Sequence, residues 1–273
     1  MLALSGLSRA IAANMHTVFS DIDDTLTTDG QLTPPAYAAL DDLRRAGLRV
    51  ILITGRPAGW CDHIARMWPV DAVIGENGAF YYWHDHAGHK LKHRHLLGEA
   101  ERAANTAKLA AVRETILREV PGCAVASDQF CRLYDLAIDF CEDVPALPQS
   151  AIDRIVTLME DAGMTAKVSS IHVNGWFGEY DKLSMAHLLM RERYGIELAQ
   201  ERERCVFAGD SPNDAPMFAY LPHAVGVANV MDFAQRMNAL PAYVTPSRGG
   251  AGFAELARAL ISAKMVAALS LRA

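Results

Sequence analysis

Residues 18–30 read VFSDIDDTLTTDG. A short apolar run of the kind that fills a buried strand leads directly into three carboxylates, Asp21, Asp23 and Asp24. Like charges a few ångströms apart repel by about 4 kcal/mol per pair at an effective dielectric near 20. A chain with only structure to maintain has no reason to gather them at a strand end, so a cation is expected to sit there.

Beyond this stretch, strands and helices alternate. TVFSD reads as a strand, TPPAYAALDDLRRAG as a helix, RVILIT as a strand and PAGWCDHIARMW as a helix. Pro34 and Pro35 suit the first turn of the earlier helix and Gly47 its end. Strands that are short and continuously apolar are buried on both faces, which predicts a parallel sheet covered by helices. The rhythm breaks after DAVIGENGAFYYWHDHAGHK, a strand and then a hairpin, and a strand-rich, mixed stretch follows. From Asp181 the alternation returns. The expected fold class is α/β: a doubly wound, Rossmann-like parallel-sheet core, residues 1–82 and 181–273, interrupted by an inserted α+β cap, residues 83–180.

Composition narrows the function. A chain of 273 residues suits a core with a second lobe, and 51% hydrophobic with 21% charged residues excludes a disordered or fibrous protein. A net charge of −6 argues against a nucleic-acid partner. Five scattered cysteines with no C-x-x-C pair read as reduced thiols, and hence as a cytoplasmic protein. The apolar opening MLALSGLSRAIAANMH lacks leading basic residues and is interrupted by Arg9, so it reads as a short helix, or as an over-extended start upstream of Met15, and not as a signal peptide. Glu255, Arg258 and Lys264 interrupt FAELARALISAKMVAALSLRA, which makes it an amphipathic packing helix and no membrane span. The sequence leaves oligomeric state open.

In a doubly wound sheet, ligands bind beyond the C-terminal ends of the strands. There this chain places Asp21, Asp23 and Thr25; then Thr54, Gly55 and Arg56; then Asp210, Asn213 and Asp214, with Lys182 opening the helix after the inserted lobe. Any one of these has a plain account as a cap or turn residue. Their convergence on one rim does not. Asp21 and Asp210 can serve a hard cation such as Mg²⁺, with a backbone carbonyl near Asp23 and support from Asp214. A phosphoryl group held by that ion, Lys182 and the Thr54 hydroxyl can be attacked by a carboxylate, while Asp23 protonates the leaving oxygen and later activates water.

DIDDT, ITGR, Lys182 and GDSPND resemble, in order and spacing, the four motifs of the haloacid dehalogenase superfamily. ENGA and VGVAN extend the likeness over about residues 16–256. The resemblance points to the subgroup with a large α+β cap between the second and third motifs, which contains Cof-type and sugar phosphatases such as sucrose-phosphate, mannosylglycerate-phosphate and trehalose-phosphate phosphatases. It implies Asp21 as nucleophile, Asp23 as general acid/base, Thr54 as phosphoryl-binding hydroxyl, Lys182 as charge-stabilising amine, and a Mg²⁺ site drawn from Asp21, Asp23, Asp210 and Asp214. An aspartate at Asp23 favours phosphoester chemistry over dehalogenation. Asp181, just before Lys182, is expected to modulate that lysine by an ion pair or a substrate contact.

The expected substrate is a small phosphorylated metabolite, foremost a sugar phosphate. Thr25, Gly55, Arg56, Asn77, Asn174, Trp176 and Asn213 are the candidate binding residues. IHVNGWFGEYDK mixes rings with hydrogen-bonding groups, as a sugar site does, but also reads as a core strand of the cap. Asp24 reads as a turn residue, and HDHAGHKLKHRH as a solvated hairpin in preference to a zinc site. Two other functions share these parts. A phosphomutase differs in its acceptor, and a phospho-accepting signalling domain needs neither Asp23 nor a lid.

Overall fold

A computed structural model describes residues 1–270; residues 271–273, the end of the predicted C-terminal helix, lie outside the described residues. The fold is α/β. Its main sheet has nine strands in the order Leu2–Ala3, Tyr243–Val244, Val225–Gly226, Cys205–Gly209, Thr17–Ser20, Arg49–Ile53, Ala72–Gly75, Phe80–Asp85 and Lys90–His95. The first seven run parallel and the last two close the edge as an antiparallel hairpin. Val18, Val50, Leu52 and Val206 fill one apolar layer with Leu40 and Leu43 of the helix Pro34–Arg45 and Phe253 and Leu256 of the helix Gly249–Ser270. Phe19, Ile51, Ile53 and Phe207 face the other layer, with Leu189 and Met190 of the helix Lys182–Tyr194. Both faces being covered explains the unbroken apolar strands.

The hairpin corrects the expected lobe boundary. Residue 83 falls within the strand Phe80–Asp85, which pairs with Ala72–Gly75 of the main sheet, and Phe80, Tyr81 and Tyr82 are buried against the core. The inserted lobe therefore starts at the helix Glu99–Glu119. It holds a separate antiparallel sheet in the order Thr165–Val168, His172–Trp176, Asp135–Asp139, Ala124–Val125. On one face of this sheet Leu136, Ile138 and Val173 pack on Ile116, Ile155 and Met159 of its two helices. The alternate positions, Asp135, Ala137, Asp139, His172, Asn174 and Trp176, form the opposite face and are buried toward the core. A face this polar is not built for apolar packing alone. The N-terminal segment forms the expected short helix, Arg9–Asn14, against the C-terminal one. No described helix is long and apolar enough to cross a membrane.

Candidate active site

Strand Thr17–Ser20 ends beside Cys205–Gly209, and the Asp21 N–H donates to the Ala208 carbonyl at 2.9 Å. The two strand ends thus deliver their carboxylates side by side. Lys182 is the first residue of its helix, whose start is fixed by Asp181: the Asp181 carboxylate accepts from the Ser184 N–H at 2.7 Å. The structure gives Asp181 this capping role, and not one of tuning the lysine. Lys182 Nζ donates to Asp21 Oδ1 at 2.6 Å and to Asp214 Oδ1 at 2.7 Å, all three groups buried. Asp214 Oδ2 accepts from the Asp210 N–H at 2.9 Å, and Thr25 donates to Asp210 Oδ1 at 3.1 Å. Thr25 is thereby a support of Asp210. A Cβ at Gly209 would stand 2.4 Å from Asp214 Oδ2, so glycine is what lets that carboxylate cross the strand end.

Asp21, Asp210 and Asp214 each place an oxygen within 4.8 Å of the others. One ammonium faces three carboxylates, and Asp210 Oδ2 is buried with no hydrogen-bond partner. Burial pushes the Asp21 and Asp210 carboxyls well above the usual range; Lys182 opposes this at Asp21, and at Asp210 the charges of Asp21 and Asp214 add to it. Burial works to lower Lys182, but Asp21 and Asp214 outweigh it and hold the amine protonated. An orphaned oxygen in an under-neutralised, all-oxygen cluster fits a hard divalent cation such as Mg²⁺.

Asp23 is not part of that cluster. Its carboxylate is gripped by Arg56, whose Nε lies 3.0 and 3.1 Å from the two oxygens. The expected part of Asp23 in holding the ion is that of a backbone carbonyl, which does not involve this carboxylate. Arg56, expected to await substrate, is engaged by Asp23, Asp128 and Glu142. Thr54 is buried at its strand end, and its hydroxyl accepts from the Arg56 N–H at 2.9 Å, which shapes the Gly55–Arg56 turn. A Cβ at Gly55 would meet the Asn77 amide at 3.2 Å and Asn174 Oδ1 at 3.6 Å. Asn77 holds a left-handed φ of 55° with both amide atoms buried and unpartnered, and Asn213 Oδ1 accepts from Ser211 at 2.8 Å.

A narrow cleft runs from Asp21, Asp23 and Arg56 to residues 169–172 and Asn174 of the inserted lobe. Asn174 is tied to Asp135 at 2.9 Å. Trp176 does not reach the cleft: it is wholly buried, stacked on Tyr180 with centroids 5.3 Å apart. It is a core residue where the lobe meets the sheet, which corrects the sugar-stacking expectation. Trp176→Phe is accordingly expected to cost about 1 kcal/mol of stability and to leave KM within about twofold, as read by urea unfolding and steady-state assays. A KM rise without destabilisation would restore the binding role.

Arg132 also braces the site: it donates to the Gly55 carbonyl at 2.8 Å and pairs with Asp128 and Asp135, while Glu142 and Glu76 were not among the candidate residues. Only Glu76, within ENGA, stood beside a residue already singled out.

Residues 18–111 match the family profile described as haloacid dehalogenase-like hydrolase. No curated protein matches the chain. Among solved structures, the chain is similar to the C-terminal domain of trehalose-6-phosphate phosphatase from C. albicans (TM-score 0.70, 15% identity, 96% of this chain and 98% of that one). It is also similar to a Thermoplasma acidophilum protein (0.68, 18%, 90% and 98%) and to the sucrose-phosphatase of Synechocystis solved with sucrose and phosphate (0.61, 16%, 91% and 98%). At these identities the likeness is one of fold. The profile thus covers residues 18–111, and the solved structures extend the likeness, as one of fold, over nearly the whole chain.

Proposed function

We propose that the protein is a Mg²⁺-dependent phosphomonoesterase that forms an aspartyl-phosphate and acts on a small phosphorylated metabolite, foremost a sugar phosphate. The observation that carries this reading is the buried Asp21–Lys182–Asp214 contact, with the unpartnered oxygen of Asp210 beside it and Asp23 two residues on at the mouth of the cleft. Asp21, Asp210 and Asp214 would hold Mg²⁺, which when bound neutralises the cluster and the phosphoryl oxygens. A carboxylate oxygen of Asp21 attacks phosphorus and the bond to the leaving oxygen breaks, Asp23 supplying the proton. Asp23 then takes a proton from water, the water oxygen attacks phosphorus, and Asp21 is released together with inorganic phosphate. Lys182 holds the Asp21 carboxylate in place and offsets charge on the phosphoryl oxygens.

The inserted lobe, from residue 99 to about 180, serves in this reading as the cap that closes over the leaving group. Its cleft residues include hydroxyl, amide and imidazole groups (Ser169, Ser170, Asn174, His172) beside Ile171 and Arg132, a lining with polar groups that suit a polyol. Arg56 and Arg132, the two arginines of the cleft, are both committed to carboxylates, which leaves no arginine for the second phosphate of a mutase intermediate and supports water as acceptor. All five cysteines are unpaired, in keeping with a reducing compartment. The test is a screen of phosphorylated metabolites read for both phosphate and sugar-phosphate isomers; isomers without phosphate would overturn the hydrolase.

Loading the site is expected to raise the melting temperature in step with Mg²⁺ concentration, as for any ligand bound by the folded state alone. Chelator should abolish both that rise and turnover. A melting curve indifferent to Mg²⁺ would count against Asp21, Asp210 and Asp214 as ligands.

A further inference from the structure

Glu142 lies in the inserted lobe, on the turn after strand Asp135–Asp139. The turn is wound on the Asp139 carboxylate, which accepts from the N–H groups of Cys141, Glu142 and Asp143 at 2.9, 2.8 and 2.8 Å. With its backbone so held, Glu142 divides its oxygens: Oε1 is 2.7 Å from Arg56 Nη2, and Oε2 is 2.9 Å from His172 Nε2. The same Arg56 Nη2 lies 2.9 Å from Asp23 Oδ1. A line of contacts thus crosses from lobe to core, His172 to Glu142 to Arg56 to Asp23, and the guanidinium face rests 4.5 Å from the Trp60 ring centroid. The His172 contact, against burial and with help from Arg56, holds the Glu142 carboxyl down at about 2.

We propose that Glu142 is a positioning residue for proton transfer to the leaving group: it fixes the Arg56 guanidinium, and Arg56 sets the plane and reach of the Asp23 carboxyl. The inference rests on the phosphomonoesterase reading, with Asp23 as acid. Arginine is a long side chain with a rigid fork at its end, and a fork anchored on one side only is free to swing. Glu142 supplies the second anchor, with Asp128 at 3.4 Å a weaker third. Because Glu142 and His172 belong to the lobe and Asp23 to the core, the acid is aimed only when the lobe is down. Proton transfer needs heavy atoms within about 2.6–3.2 Å, and a misplacement of about 1 Å costs on the order of 10²-fold.

The test compares wild type, Glu142→Ala and Glu142→Gln in Mg²⁺ on two esters of similar size, 4-nitrophenyl phosphate and phenyl phosphate. Nitrophenolate departs without a proton, whereas phenolate benefits from one. The readout is kcat/KM, which covers the first transfer and not the hydrolysis of the aspartyl-phosphate that both esters share: Glu142→Ala is expected to lower it on phenyl phosphate by about 10- to 100-fold and on the nitrophenyl ester by less than about threefold. Glu142→Gln keeps an acceptor for Arg56 and is expected to recover part of the loss; should the alanine variant fail to fold, the glutamine variant carries the comparison with a smaller selective loss. Equal losses on both esters, or none on either, with wild type active, would overturn the inference alone. A wild type inactive on both overturns the phosphomonoesterase reading, and the inference with it.

Discussion

Asp21→Asn is expected to lower turnover by about 10⁴-fold or more, the scale on which loss of a nucleophile is felt, without unfolding the protein. The amide has the shape of the carboxylate and still offers Lys182 an acceptor where the 2.6 Å contact now lies, but it cannot form an acyl phosphate. The stability effect has a sign that can be worked out. Burial raises the Asp21 carboxyl in the folded state, Lys182 opposes and Asp214 and Asp23 add to it, so its ionisation disfavours the fold as pH rises above the unfolded value near 3.9. Removing the charge restores that loss. In metal-free buffer at neutral pH the variant should therefore melt at or above wild type, the gap closing as pH falls toward 4. With Mg²⁺ the order should reverse, because the variant has given up a ligand. Near wild-type hydrolysis of an aryl phosphate by the asparagine variant would remove Asp21 from the mechanism.

Glu76→Ala should be the most damaging substitution outside the catalytic cluster. Glu76 is fully buried, at a φ of 43°, and its oxygens accept from the N–H groups of Ala58 at 3.0 Å, Leu133 at 2.9 Å, Tyr134 at 2.6 Å and Asp135 at 3.2 Å. One side chain of the core thereby satisfies the start of a helix and three successive amides of the inserted lobe. Alanine strands them, and buried donors without partners cost about 1–3 kcal/mol each, less where water enters. A loss of about 4 kcal/mol is expected by urea unfolding, with hydrogen exchange at residues 133–135 rising more than elsewhere. A change below about 1 kcal/mol, or unaltered protection of those amides, would show that the lobe is held by other means.

The catalytic rim was legible because its signals are local. Asp21 and Asp23 follow a strand, Thr54 follows another, Asp210 and Asp214 a third, and a parallel sheet brings strand ends together whatever else the chain does. The lobe was legible in outline only. Its strands alternate polar with apolar, yet nothing in IHVNGWFGEYDK tells Asn174, at the cleft, from Trp176, in the core: the two share a face of one strand and differ in what stands opposite. The hairpin was assigned to the lobe from residue 83 onward for a similar reason, since a strand pattern does not name the sheet it joins.

The α/β class, the order of strands and helices, and the set of carboxylates and the amine at the rim follow from contiguous residues, because periodicity and strand-end placement are local properties. Tertiary structure alone decided how those charges are shared. The Asp23 carboxylate went to Arg56, Asp181 became a helix cap, and Arg56 came to be divided between Asp23 of the core and Glu142 of the lobe. Glu76, Arg132 and Glu142 acquired partners more than fifty residues away. An ion pair or a buried acceptor is chosen by distance in space and by which groups lose water together, and no spacing along a chain encodes that.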